Sequence, residues 1–311
     1  MAEMLINDIN REIKESPIKF VAECEDSYHG MVSALATRVC ADGGIKVILL
    51  AGPSGSGKTT SANLLSDYIK ERGLDSMVVS LDDFYRNPDD PEYPRFENGE
   101  RNFEAVEALD LPELAKTLAA IADSQPFTVP KYDFKVGART KMRSYPAMIN
   151  GCVIIEGLHA LNPLVFGSLP EDKMLRIFIS VSTNINKGDR RILSGRKIRF
   201  MRRMIRDNLY RNATAERTLA FWDGVLFGED KYLYPTRKYA DVSFNTFHPF
   251  ELAVMRPFVE SLISDELAEK NSYAATVLNA AREVEPMNIE LVPDDSLIRE
   301  FIPGGKYEAL Y

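Results

Sequence analysis

The chain has 311 residues, 45% of them hydrophobic and 27% charged, with a formal net charge of −8. That length suffices for one large α/β domain or two smaller ones, and the acidic balance argues against a general nucleic-acid or membrane-surface binder. Cys24, Cys40 and Cys152 lack C-x-x-C spacing, and His29, His159 and His248 are scattered. These rule out a disulfide framework or zinc cluster and point to reduced thiols in the cytoplasm.

The start of the chain has no basic segment followed by an apolar one, so no signal peptide is expected, and no apolar run reaches the length of a membrane span. Residues 1–44 read as a helical lead-in ending at Gly43 and Gly44. Residues 45–51 (IKVILLA) are a short apolar run, as expected of a buried parallel strand. Helical spacing follows over 61–69, with Gly73 as a stop. A second strand is expected over 76–81, then a loop over 86–101, rich in Pro, Asn, Asp and Gly. Asp110 caps the next helix, and Pro112 sits in its first turn. Residues 127–134 suggest a short strand or hairpin arm; 152–157, 175–181 and 240–244 read as further strands. Residues 250–269 are expected to form one long amphipathic helix, and the stretch from Asn271 mixes helix and strand signals. Strands alternating with helices imply a mostly parallel sheet covered on both faces.

Between the first strand and its helix stands Gly52-Pro53-Ser54-Gly55-Ser56-Gly57-Lys58-Thr59, of the form G-x-x-x-x-G-K-[ST], with Thr60 next. Such a loop turns backbone N–H groups toward phosphates at a helix N-terminus; Lys58 would reach the β- and γ-phosphates and Thr59 would hold Mg²⁺. A phosphate loop alone does not separate kinases, GTPases and motor-type ATPases. Asp82, just past a strand end, is placed to accept a hydroxyl proton or hold Mg²⁺, and Glu156, closing an apolar run, fits a metal-binding carboxylate. From Lys187 to Arg211 ten basic residues face two acidic ones, a net +8 in an acidic chain. Arg199, Arg202, Arg203 and Arg206 share one helical face by their spacing. An Arg-rich lid over residues 186–213, donating to transferred phosphate, is the expected role. Asn186-Lys187-Gly188-Asp189 matches the guanine-reading letters of GTPases, but no D-x-x-G accompanies it.

The stretches GPSGSGKTT (52–60), SLDDFYR (80–86), NFEAVEALD (102–110), VPKYDF (129–134), VIIEGLHAL (153–161) and RRMIRD (202–207) together resemble the phosphoribulokinase/uridine kinase family. GEDKYLYP (228–235) and SLIREFIPGG (296–305) resemble its longer bacterial uridine-kinase-like members. The resemblance implies a P-loop α/β kinase domain over 45–250 with a C-terminal α/β extension over 251–311. It implies ATP and Mg²⁺ as cofactors and phosphorylation of a small-molecule hydroxyl, most simply the 5′-OH of a pyrimidine nucleoside. Asp82 would be the general base and a metal contact, and Glu156 the second metal carboxylate. Arg206, with Arg202 and Arg203, would lie on the phosphates. Asp83, Tyr85, Glu104, Tyr132, Phe134, Arg139 and Arg211 would lie on the acceptor side. Two departures stand out: Glu104 replaces the family's ribose-binding Asp, and Gly137 the base-contacting His. Another small alcohol as acceptor, or a non-catalytic module touching RNA through 187–211, remain alternatives. A membrane partner is not expected; a homo-oligomer is compatible with the sequence.

Overall fold

A computed structural model describes residues 2–133 and 136–310; Phe134 lies outside the described residues. Strand β1 (Ala2–Leu5) leads into helices α1 (Ile6–Glu15) and α2 (Pro17–Asp42). Strand β2 (Val47–Ala51), the phosphate loop and helix α3 (Lys58–Glu71) follow, then strand β3 (Asp75–Ser80) and a 3₁₀ turn over Leu81–Phe84. Helix α4 (Leu111–Ala122) is capped by the Asp110 side chain, which accepts from the Glu113 N–H. Strands β4 (Phe127–Asp133) and β5 (Ala138–Tyr145) form an antiparallel hairpin, followed by β6 (Gly151–Glu156), the short α5 (Pro163–Phe166) and β7 (Met174–Ser180).

Strands β8 (Thr183–Lys187) and β9 (Arg190–Leu193) precede helices α6 (Gly195–Arg211) and α7 (Ala215–Gly228). Strand β10 (Val242–Asn245) and helices α8 (Glu251–Leu262), α9 (Asp265–Lys270) and α10 (Ser272–Glu283) complete the regular elements.

The main sheet has the order β10-β7-β2-β6-β3, and every pairing in it is parallel, as expected. Its strands are apolar on both faces because both are covered. Val47, Leu49, Ala51, Val153 and Ile155 join one buried layer, with α4 and α5. Ile48, Leu50, Ile154, Ile177 and Ile179 join the other. That second layer also takes Ile6, Ile9 and Tyr28 from the lead-in and Leu297, Ile298, Phe301 and Ile302 from near the other end of the chain. Residues from 1–44, 45–250 and 251–311 thus share one core.

Three expectations are corrected. Residues 186–193 are not lid but hairpin: β8 pairs in parallel with β1 and antiparallel with β9, so the guanine-like letters Asn186–Asp189 fall at a strand end and turn. The basic helix α6 is no loose cover either, since Ile198, Phe200, Met201, Met204 and Ile205 bury its opposite side in the core. The helix expected over 250–269 is two helices: Ile263 is extended, and Ser264 starts α9 by accepting from the Leu267 N–H. Among the described residues after Asn271 there is no strand; the extension is α10 plus 3₁₀ turns.

Candidate active site

The strand order places β2, β6 and β3 side by side, so their C-terminal ends share one edge, where ligands of open α/β sheets bind. The register pairs Ser80 with Glu156, so the Asp82 turn and the Glu156 carboxylate stand next to each other across adjacent strands. The phosphate loop leaves β2 beside them. A cleft of about 220 Å³ opens there. It is lined by the loop (Ser54, Gly55, Gly57, Lys58, Thr59), by the acids Asp82, Glu104, Glu156, Glu229 and Glu300, and by Arg203, Arg206 and Arg211.

The loop's glycines are required by geometry. Gly55 and Gly57 have φ +72 and +86; a Cβ on the first would meet the Arg199 carbonyl oxygen at 2.6 Å, and one on the second would meet the Leu297 side chain at 2.5 Å. The Lys58 ammonium donates to the Pro53 carbonyl (3.2 Å). Thr60, rather than pointing into solvent, donates its amide and hydroxyl to Glu300 (3.3 and 3.1 Å).

The guanidinium row divides in two. Arg199 makes a bidentate pair with Glu229 (2.8 and 2.8 Å) and donates to the Ser54 carbonyl. Arg202, fully buried, pairs with Glu251 (2.6 and 2.9 Å) and donates to the Thr246 and Gly55 carbonyls. These two hold the loop from behind; Arg202 is therefore corrected from a phosphate contact to a support. Arg203, which donates to the Ser54 hydroxyl (2.8 Å), and Arg206, which pairs with Asp207 (3.2 Å) and Glu300 (3.5 Å), face the cleft. Arg211 joins them through Asp207 (3.2 Å).

The charges are strained by enclosure. Burial lowers Lys58, while Glu156, Glu300 and Asp82 nearby favour its charge. Burial raises Asp82, opposed by Lys58, although Asp82 itself stays open to the cleft floor. Burial lifts Glu156 to about 7, again opposed by Lys58. Two carboxylates beside a threonine hydroxyl are a hard-oxygen donor set, which suits Mg²⁺ shared with phosphates. Among the described residues no group of three or more His, Cys, Asp or Glu forms a metal cage by itself, and none is needed where phosphates supply the remaining oxygens.

Toward the acceptor end, Tyr85 and Glu104 line the cleft. Burial raises Glu104, opposed chiefly by Arg203, and its carboxylate lies against Gly228, where a Cβ would meet Glu104 Oε2 at 2.8 Å. Residue 228 leaves room for the Glu104 side chain because it is a glycine. Arg211 also lines the cleft, whereas Asp83, Arg139 and Tyr132 are engaged in contacts within the fold. Asp83 is buried and paired with Lys131 (3.0 Å) and Arg143 (2.6 Å), tying the 3₁₀ turn to the β4–β5 hairpin. Arg139 donates to the Phe84 and Tyr85 carbonyls (2.8 Å each) and to Asp110 (2.9 Å). Tyr132 packs its ring against Tyr85, centroids 5.8 Å apart. Gly52, Pro53 and Ser56 shape the loop without lining the cleft. Reading the motifs missed Glu229 and Glu300: both accept loop N–H groups, Glu229 from Ser54 at 2.9 Å, but no spacing in the sequence links them to residues 54–60.

A parallel sheet, a phosphate loop at the N-terminus of α3, and carboxylates at the ends of β3 and β6 define a P-loop kinase fold. The chain belongs to the phosphoribulokinase/uridine kinase family, whose model matches residues 47–252. A uridine kinase of Borrelia hermsii is 30% identical over 199 residues, 64% of this chain and 85% of that protein. A uridine kinase of Deinococcus deserti is 29% identical over 197 residues, 63% and 85% of the two chains. A solved structure titled a possible uridine kinase from Bacillus stearothermophilus covers 70% of this chain and 100% of its own, with 19% identity and a TM-score of 0.47. The chain is thus a small-molecule kinase. Among the described residues no helix is long and apolar enough to cross a membrane.

Proposed function

We propose that the protein transfers the γ-phosphoryl group of ATP, with Mg²⁺, to a hydroxyl of a small alcohol, and that the acceptor is the 5′-OH of uridine or cytidine. The observation that carries the reaction type is the pairing of Ser80 with Glu156, which sets Asp82 and Glu156 side by side facing Lys58. Asp82, which stays open to the cleft, orients the acceptor hydroxyl and takes its proton. Lys58, Arg203 and Arg206 donate to the phosphate oxygens, where the charge of a loose transition state gathers. Thr59, Asp82 and Glu156 would hold Mg²⁺, which when bound supplies neutralisation of phosphate charge.

The nucleoside reading draws on the relatives named above and on Glu104, which reaches the cleft at the position where the family binds ribose hydroxyls. A different alcohol is favoured by one observation, Gly137. It sits at φ +71 in the turn between β4 and β5, a conformation that favours glycine, and glycine brings no side chain to contact a base.

The test is ADP release from ATP–Mg²⁺ against nucleosides, sugars and other small alcohols, with Asp82→Asn alongside. Turnover on uridine or cytidine that Asp82→Asn abolishes supports the proposal. Turnover confined to another alcohol replaces the acceptor. ATP binding without turnover on any acceptor removes the catalytic reading.

A further inference from the structure

The segment that ends at Glu300 lies beyond the family match at residue 252, yet it reaches the phosphate loop. Leu297–Glu300 form a 3₁₀ turn, in which residues three apart project from the same side. Leu297, fully buried, packs against Gly57, and Glu300, 4% exposed, meets Thr60 and Arg206. The turn is anchored at its start: the Ser296 hydroxyl accepts from the Ile298 N–H and donates to Glu25 of α2 at 2.5 Å.

What Glu300 accepts is informative. The Thr60 N–H lies in the first turn of α3, where a phosphate loop offers amides to an anion. A buried carboxylate has taken this amide, the adjacent hydroxyl and one edge of a cleft-facing guanidinium. Carboxylate and phosphate oxygens compete for the same donors, and two negative groups in one enclosed space repel.

We infer that Glu300 is an affinity-determining residue, a built-in carboxylate that holds part of the phosphate seat and that nucleotide phosphate must displace. This rests on the nucleotide-binding part of the proposed function. Nucleotide binding then draws the Leu297–Glu300 turn off the loop, and the measured affinity is the intrinsic one reduced by the fraction of molecules with the seat open.

Two measurements test this on the full chain. ADP and ATP–Mg²⁺ binding by calorimetry is compared among wild type, Glu300→Gln, which keeps the shape and an acceptor, and Glu300→Ala. About tenfold tighter binding is expected in both variants. Amide hydrogen exchange across 297–302 is followed in the wild type, where saturating ADP should speed it. ADP binding to the wild type with equal or weaker binding by the variants overturns the inference and leaves the nucleotide reading intact. Slower or unchanged exchange in 297–302 overturns it without reliance on any variant. No nucleotide binding by any of the three proteins overturns both.

Discussion

The two ends of the cleft are built differently. At the phosphate end, each group sits on or against the main sheet and α6: the loop leaves β2, Glu156 ends β6, and Arg199 and Arg202 clamp the loop carbonyls through buried pairs with Glu229 and Glu251. At the acceptor end, Tyr85, Glu104 and the hairpin hang from loops, held by ion pairs such as Asp83 with Arg143 and Arg139 with Asp110. In the proposed reaction the rigid end handles phosphate, while the tethered end can vary its acceptor without disturbing the sheet.

Substitutions can break this contrast. On the proposed mechanism Lys58→Ala and Asp82→Asn should each lower turnover by ~10³-fold with little change in thermal midpoint, because they would remove transition-state contacts rather than packing; steady-state kinetics and calorimetry check both. Arg202→Ala should do the reverse. It leaves Glu251 buried without its partner, costing about 3–5 kcal/mol, which chemical denaturation will show, whereas Arg206→Ala should cost turnover and less stability than that, since Asp207 keeps Arg203 and Arg211 and Glu300 keeps Thr60. If both behave alike, the division of the arginine row is wrong. Arg143→Ala should raise the acceptor KM about tenfold and leave the ATP KM unchanged, since it loosens only the tethered end.

The smallest effect at neutral pH concerns His159. Burial holds it neutral, lowered from 6.5 to about 4. Its folded value lies below its unfolded one, so the stability it contributes is complete above 6.5 and lost as pH falls toward about 4. Denaturation midpoints across that window should slope down with acid, and His159→Gln should flatten part of the slope.

How much was legible in the sequence follows the same division. The apolar runs at 45–51 and 152–157 announced buried parallel strands, and the loop and its two carboxylates were readable because each motif lies within a few consecutive residues. Arg202 and Arg203 are adjacent and chemically identical, yet one is buried behind the loop and the other faces the cleft; only the packing of α6 against Glu251 separates them. Asp83 looked like a ligand beside Asp82, but its register points it to Arg143. The hairpin at β8–β9 was hidden because its first partner, β1, comes from the opposite end of the sequence.

The contact between Thr60 and Glu300 spans 240 positions of the chain. During translation at about 5–20 residues per second, the loop exists for roughly 12–48 s before its carboxylate is made. Because Leu297, Ile298, Phe301 and Ile302 belong to the same buried core as the sheet, that core is complete only once the segment carrying Glu300 has been made.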